Sequence, residues 1–323
     1  MWSSFFSFLK LMRISYRQII KEAWDFTQDN KKLIMVYAFL PALFGTLAGI
    51  LYLIYQYYAV VSSPLMENWQ NSFTIVFVTN VLQVLQDNLS WTGPIIIGVI
   101  VVMIFYFLVP SFCEGSIIQL IARKRNDQDV RTRDGLRFGM LSFLPLFEYS
   151  WIIRTFSLIS MISWTSFVAR NLGWGALEAF LPLAIFFAIV GIILTLLFTY
   201  TEFFIVIDNK RVIESITKSC VLVVTHLEET LLLSVLMLII SVRILVQIVF
   251  VLLIPAVVAT IIYFVTSTAA PVLAFGVGGV IGAGLLYLAA YLNGTIHVFA
   301  ASVWTFTFLE LTKEDEVSAR ESF

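Results

Sequence analysis

Six long apolar runs, and the placement of the basic residues between them, constrain this chain more than any other feature. The runs lie near 33 to 61, 94 to 121, 144 to 168, 179 to 206, 230 to 262 and 272 to 308. Each is long enough to cross about 30 Å of hydrocarbon, which takes roughly 20 helical residues. Backbone amides have no water to bond inside lipid, so such runs become helices. The expectation is an all-α membrane protein with six transmembrane helices. Of the 20 Lys and Arg, all but three fall in the N-terminal segment, the linkers around 122 to 143 and 207 to 226, and the C-terminal tail. Only Arg170 lies in the opposite set of loops, while Arg154 and Arg243 lie inside apolar runs. The positive-inside rule then predicts that both termini are cytoplasmic.

Composition agrees with that class: 60% of residues are hydrophobic and 13% charged, and the net charge of −1 gives no basis for a nucleic-acid partner. Cys113 and Cys220 fall near cytoplasmic ends of the runs and are not at metal-ligand spacing, so neither a disulfide nor a metal site is expected. One integral membrane domain accounts for residues 1 to 323. Within it, 1 to 32 read as N-terminal cytoplasmic or interfacial helices. The apolar start is followed by Lys10, Arg13 and Arg17 rather than preceded by basic residues, unlike a cleaved signal peptide. Segment 63 to 93 lacks Lys and Arg, is bounded by Ser63-Pro64 and Gly93-Pro94 turns, and reads as an outer loop with an amphipathic helix. Residues 310 to 323 read as a cytoplasmic tail.

A short pattern recurs in the three cytoplasmic segments: Glu22-Ala23-Trp24, Asp134-Gly135-Leu136 and Glu214-Ser215-Ile216. Eleven residues after each acid, at Leu33, Pro145 and Thr225, a membrane helix is expected to begin. The unit is an internal repeat of three hairpins, each preceded by a cytoplasmic interfacial amphipathic helix. In the third copy Val212, Ile213, Ile216, Cys220 and Val223 share a narrow arc at helical spacing. In the first, Tyr16, Ile19, Ile20, Ala23, Trp24 and Phe26 oppose Gln18, Lys21, Glu22 and Asp25. Gly135 and Gly139 weaken the second copy as a helix. Such faces rest in the headgroup layer or pack on neighbouring spans.

Ionisable residues inside the runs are the candidate sites. A charge at Arg243 costs about 2.5 to 3.5 kcal/mol in hydrocarbon and calls for a partner, with Glu178 at the outer end of the fourth run as the first choice. Arg154, in the third run, is expected to meet Glu114 at the inner end of the second. The alternative is a polar cavity lined by Arg154, Glu114, Glu202 and Asp208. Glu114, Glu202 and Glu310 recur near the inner ends of the second, fourth and sixth runs and are expected to meet basic interfacial helices. Gly278-x-x-x-Gly282 offers a small-residue face for close helix approach. His226 and His297 are too few for a metal site, and no nucleophile elbow, P-loop or HExxH motif is present. No catalytic residue or cofactor is expected.

The stretches Glu22-Ala23-Trp24 to Asn30-Lys31-Lys32-Leu33, Gly115-Ser116-Ile117-Ile118 through Arg133-Asp134-Gly135-Leu136, and Ile207-Asp208-Asn209 through Ile213-Glu214-Ser215 resemble a broad group of poorly characterised prokaryotic polytopic membrane proteins. That group includes the membrane domain fused to some glycerophosphodiester phosphodiesterases. The resemblance implies a prokaryotic plasma membrane and a domain without chemistry of its own. The chain has no room for the soluble phosphodiesterase domain, so that activity is not implied. The leading functional expectation is a non-enzymatic scaffold or accessory factor acting on partner proteins or lipid organisation. Its partners are the lipid bilayer and other membrane proteins or further copies of the chain. The alternative is a small-solute or lipid transporter using Arg154, Glu202 and Arg243.

Overall fold

The computed structural model describes residues 16–61, 89–156, 158–240 and 271–321, together with Thr79, Leu82, Gln83, Gln86, Asp87 and Val242. All regular structure among them is helical. Helix α1 is Tyr16–Asp29, and α2 runs through Lys31–Leu33, a π-helical segment Ile34–Ala38, and Phe39–Val61. Then come α3 (Leu89–Arg125), α4 (Asp134–Thr155), α5 (Leu158–Leu197), α6 (Thr201–Val206) and α7 (Val212–Thr225). Helix α8 is Leu227–Ile240 and α9 is Pro271–Glu321.

Four stretches are long and apolar enough to cross a bilayer: Lys31–Tyr52, Thr92–Arg125, Gly175–Leu197 and Gly282–Lys313. A fifth arises if α7 and α8, which meet at 96°, are taken together. The chain is therefore a helical, multi-span membrane protein. The apolar runs at 33 to 61, 94 to 121, 179 to 206 and 272 to 308 each hold one of these stretches. The run at 230 to 262 begins in α8 and then passes outside the described residues, as does most of segment 63 to 93.

The run at 144 to 168 departs from expectation, because it is not one uninterrupted helix. Helix α4 ends in a tight turn in which the Phe156 N–H donates to the Ile153 carbonyl at 3.0 Å. A Cβ on Gly191 would collide with the Phe156 carbonyl oxygen, so this glycine admits the turn against the following helix. Helix α5 is broken again at Gly173, whose φ of 80° is a left-handed conformation that favours glycine.

Two of the three segments that carry the recurring acidic pattern form a short helix followed by an elbow. Helices α1 and α7 are each 14 residues long. The residues that follow them, Asn30 (φ −108°, ψ 41°) and His226 (φ −116°, ψ 46°), share nearly the same non-helical conformation. At the first elbow both the backbone N–H and the side-chain amide of Asn30 donate to the Phe26 carbonyl, at 3.1 and 2.8 Å, closing the last turn of the helix. The second segment differs: α4 begins at Asp134, whose carboxylate accepts the Arg131 N–H at 2.8 Å, and runs through Pro145 without an elbow.

The buried faces also differ in part from the sequence arcs. Helix α1 buries Tyr16, Ile19, Ala23 and Thr27 and leaves Trp24 exposed. Helix α7 buries Val212, Ser215, Ser219, Leu222 and Val223, while Ile213 and Val224 point away from the protein. The outward apolar pair adjoins the exposed Glu214 and Lys218 side of the helix, an arrangement suited to the headgroup boundary.

Burial is concentrated at the basic end of the bundle. Tyr16, Tyr37, Ile121, Tyr200, Val223 and Phe308 belong to one core there, whereas Ile96 to Phe107 of α3 carry mostly exposed apolar side chains. In water such a surface is unfavourable, but hydrocarbon covers it without cost, and span packing then depends on close contact rather than apolar burial. That contact is made by glycines. A Cβ on Gly139 would lie 2.6 Å from the Phe112 carbonyl oxygen and against Ser116 Oγ, and one on Gly135 would lie 2.7 Å from Tyr37 Oη. Ser116 Oγ donates to the Gly135 carbonyl at 2.8 Å across the same crossing. Gly135 and Gly139 thus seat α4 on α3, although their helix propensity is poor. Gly294 brings α9 against α2, its Cβ position 3.2 Å from the Ala38 carbonyl carbon. The face expected at Gly278 and Gly282 does not serve this purpose at Gly282, where no described atom lies within 4 Å of a built Cβ. The surroundings of Gly278 lie outside the described residues.

Candidate functional site

The site is assembled where α6 wedges between α3 and α9. The chain leaves helical geometry between Leu197 and Thr201, and Ser219 of α7 bonds both sides of the break. Its hydroxyl accepts the Tyr200 N–H at 3.1 Å and donates to the Leu197 carbonyl at 2.8 Å. Aromatic packing then locks α6 to α9: Phe203 stacks on Phe308 at 5.6 Å, and Phe204 meets the same ring edge-on at 4.9 Å. This fixes Glu202, which lies in the first turn of α6.

Glu202 lines a pocket of about 220 Å³ with Glu114 of α3 and His297 of α9, walled by Thr199, Phe203 and Trp304. His297 Nε2 lies 3.0 Å from a Glu114 carboxylate oxygen. The imidazole is 46% exposed and the Glu114 side chain 24%, so the pair faces the pocket mouth rather than a sealed interior. Glu202 has no hydrogen bond or ion pair with a described residue. Two carboxylates against one imidazole leave a negative charge uncompensated even when His297 is protonated. In a low-dielectric setting that imbalance favours an additional proton or another cation. The arrangement brings two carboxylates and one imidazole to the lining of one pocket, and no serine or cysteine is among the lining residues. Among the described residues no group of three or more His, Cys, Asp or Glu is placed to hold a metal ion.

Of the other candidate residues, some have described partners and some lie outside the described residues. Glu114 finds its partner in His297 on α9; the expected partner, Arg154, is in α4 with a side chain outside the described residues. Arg243 also lies outside them, and Glu178 is exposed on α5. Asp208 does not join Glu114 and Glu202 but sits 3.5 Å from Lys210. Glu310 meets Arg125 at the end of α3, at 3.0 Å, rather than a basic interfacial helix. Arg125 also approaches Glu22 of α1 at 3.7 Å and donates to the Phe306 carbonyl at 2.6 Å, tying three helices at the basic end of the bundle. His297 was the residue missed as a partner for Glu114. Its signal was present: an ionisable side chain in Thr295-Ile296-His297-Val298, within the last apolar run.

The fold and this cluster define a multi-span helical membrane protein with titratable groups inside the bundle. No family model, curated protein or solved structure matches the chain.

Proposed function

We propose that the chain is a non-enzymatic integral membrane protein that serves as a scaffold or accessory factor, acting on partner proteins or on lipid organisation. In this reading six spans form three hairpins in a prokaryotic plasma membrane, each entered from a cytoplasmic interfacial helix, with both termini inside. The matching elbows at Asn30 and His226 support the repeat. The observation that carries the functional reading is the distribution of packing. Among the described residues the core is concentrated at the basic end, while the helices beyond it present apolar and small residues outward, including Gly282 and Gly284 of α9, near which no described atom lies within 4 Å of a built Cβ. Close approach at such positions is how helices associate in lipid.

The second reading, a small-solute or lipid transporter, draws on the Glu114, Glu202 and His297 pocket, with Arg154 and Arg243 as further polar residues in the bundle. One comparison separates the two. Affinity purification from native membranes, with lipids retained, is expected to recover a membrane protein or additional copies of the chain with the wild type and to lose them with Gly282→Leu. Recovery unchanged by Gly282→Leu, together with a solute flux in liposomes abolished by Glu202→Gln, would favour transport instead.

A further inference from the structure

A separate pocket of about 500 Å³ lies at the inner boundary of α2, between the first elbow and the linker that leads into α4. Three cations line it: Lys31 and Lys32, at the start of the first span, and Arg133, next to the first residue of α4. Among the described residues none of the three has a carboxylate within 4 Å or a side-chain hydrogen bond. The rest of the lining is largely apolar, with Met35, Val36 and Leu136 all exposed. The floor is fixed, because Tyr37 Oη donates to the Thr132 carbonyl at 2.7 Å and Gly135 lets the two segments meet.

A second basic pocket offers a contrast. Lys210, Lys218 and Lys313 line a site of about 580 Å³, and there Asp208 lies 3.5 Å from Lys210, and Glu214 lies 3.9 Å and 3.6 Å from Lys210 and Lys218. The charge of Lys210 and Lys218 is answered within the chain. Lys31, Lys32 and Arg133 have no carboxylate within 4 Å among the described residues, so three like charges converge on one pocket, with Asp134 beside it held on the Arg131 N–H. Such a site is completed by an anion, and the apolar wall running from it into a span selects an anion with a hydrocarbon tail.

We propose that this pocket binds the phosphate of an anionic phospholipid of the inner leaflet, with Lys31, Lys32 and Arg133 on the headgroup and Met35, Val36 and Leu136 beside the acyl chains. The inference deepens the lipid arm of the reading above and rests on the cytoplasmic orientation of this end; the partner-protein arm does not depend on it.

The test uses the full chain in detergent, titrated with phosphatidylglycerol, phosphatidylcholine or inorganic phosphate, with bound lipid read by native mass spectrometry. Phosphatidylglycerol is expected to be retained in preference to phosphatidylcholine. Combined Lys31→Gln, Lys32→Gln and Arg133→Gln substitution should weaken it about a hundredfold, since each cation near an anionic headgroup contributes roughly a factor of five. A control that removes two charges elsewhere, Lys210→Gln with Lys218→Gln, should leave binding within about twofold. If the triple variant does not fold, Arg133→Gln alone decides, with a loss of about fivefold expected. Equal retention of the two lipids, equal loss in the control, or unchanged binding in the variants overturns the proposal. Displacement of phosphatidylglycerol by inorganic phosphate at matched concentration assigns the site to a soluble anion and overturns the lipid assignment.

Discussion

Gly139→Ala is expected to lower the thermal stability of the detergent-solubilised protein, and Gly139→Leu to prevent recovery of folded protein. The sign is what makes the result informative. In an unencumbered helix, replacing glycine by alanine stabilises by about 0.8 to 1 kcal/mol. At Gly139 the added methyl would meet the Phe112 carbonyl oxygen at 2.6 Å as well as Ser116 Oγ. A backbone oxygen cannot turn aside as a side chain does, so α4 must lift from α3, and the Ser116 bond to the Gly135 carbonyl is strained with it. Overpacking of this kind costs about 1 to 3 kcal/mol, which exceeds the propensity gain. Gly282→Ala, where the new methyl meets no described atom, is the matched control and should be neutral or slightly stabilising. Stabilisation by Gly139→Ala equal to that by Gly282→Ala would mean that α3 and α4 do not cross there.

His297→Leu is expected to destabilise the bundle, and Glu114→Leu in the same chain to recover most of the loss. The imidazole is the basic partner 3.0 Å from Glu114, and without it the charged group that shares the pocket with this carboxylate, among the described residues, is Glu202, of the same sign. An enclosed pair loses about 3 to 5 kcal/mol when one member is removed. The imidazole is 46% exposed, so screening at the pocket mouth lowers the expected cost to about 2 kcal/mol. A double-mutant cycle on unfolding in detergent measures the coupling directly. Additive losses would show that Glu114 and His297 act independently.

Much of the architecture was legible because the physics behind it is local. An apolar run long enough to cross a bilayer has few alternatives to a helix, and four of the six runs contain one. The break at Phe156 was not legible, since it depends on Gly191 far along the chain leaving room for a carbonyl rather than on any turn signal near Phe156. Gly135 and Gly139 were misjudged for a related reason. Propensity counts what glycine costs its own helix, whereas here the missing Cβ allows a neighbouring helix to approach. Gly278 and Gly282 have the spacing of a packing face, and among the described residues nothing lies within 4 Å of a Cβ built on Gly282.

The ionisable residues follow the same division. Depth along the spans put Glu114 at the level of Arg154, but depth alone does not say which helix is adjacent. The described partner of Glu114 is His297, whose charge depends on its surroundings. The identity of the neighbour is a property of packing: α9 is held against α2 by the Gly294 contact with Ala38, and α6 is held against α9 by the aromatic cluster around Phe308. Arg125 is a further example. It is one of the closing basic residues of α3, and its partners, Glu22, Glu310 and the Phe306 carbonyl, come from two other helices.

The central claim is that the packed, basic end of the bundle faces the cytoplasm, because the interfacial elbows, the phospholipid pocket and the scaffold reading all rest on it. Single cysteines at positions 87 and 128, in a chain carrying Cys113→Ser and Cys220→Ser, test it with a membrane-impermeant thiol reagent applied to intact cells. Position 87 should be labelled from outside, and position 128 only after the membrane is permeabilised. Labelling of position 128 in intact cells, with position 87 protected until permeabilisation, would contradict the orientation and every assignment that depends on it.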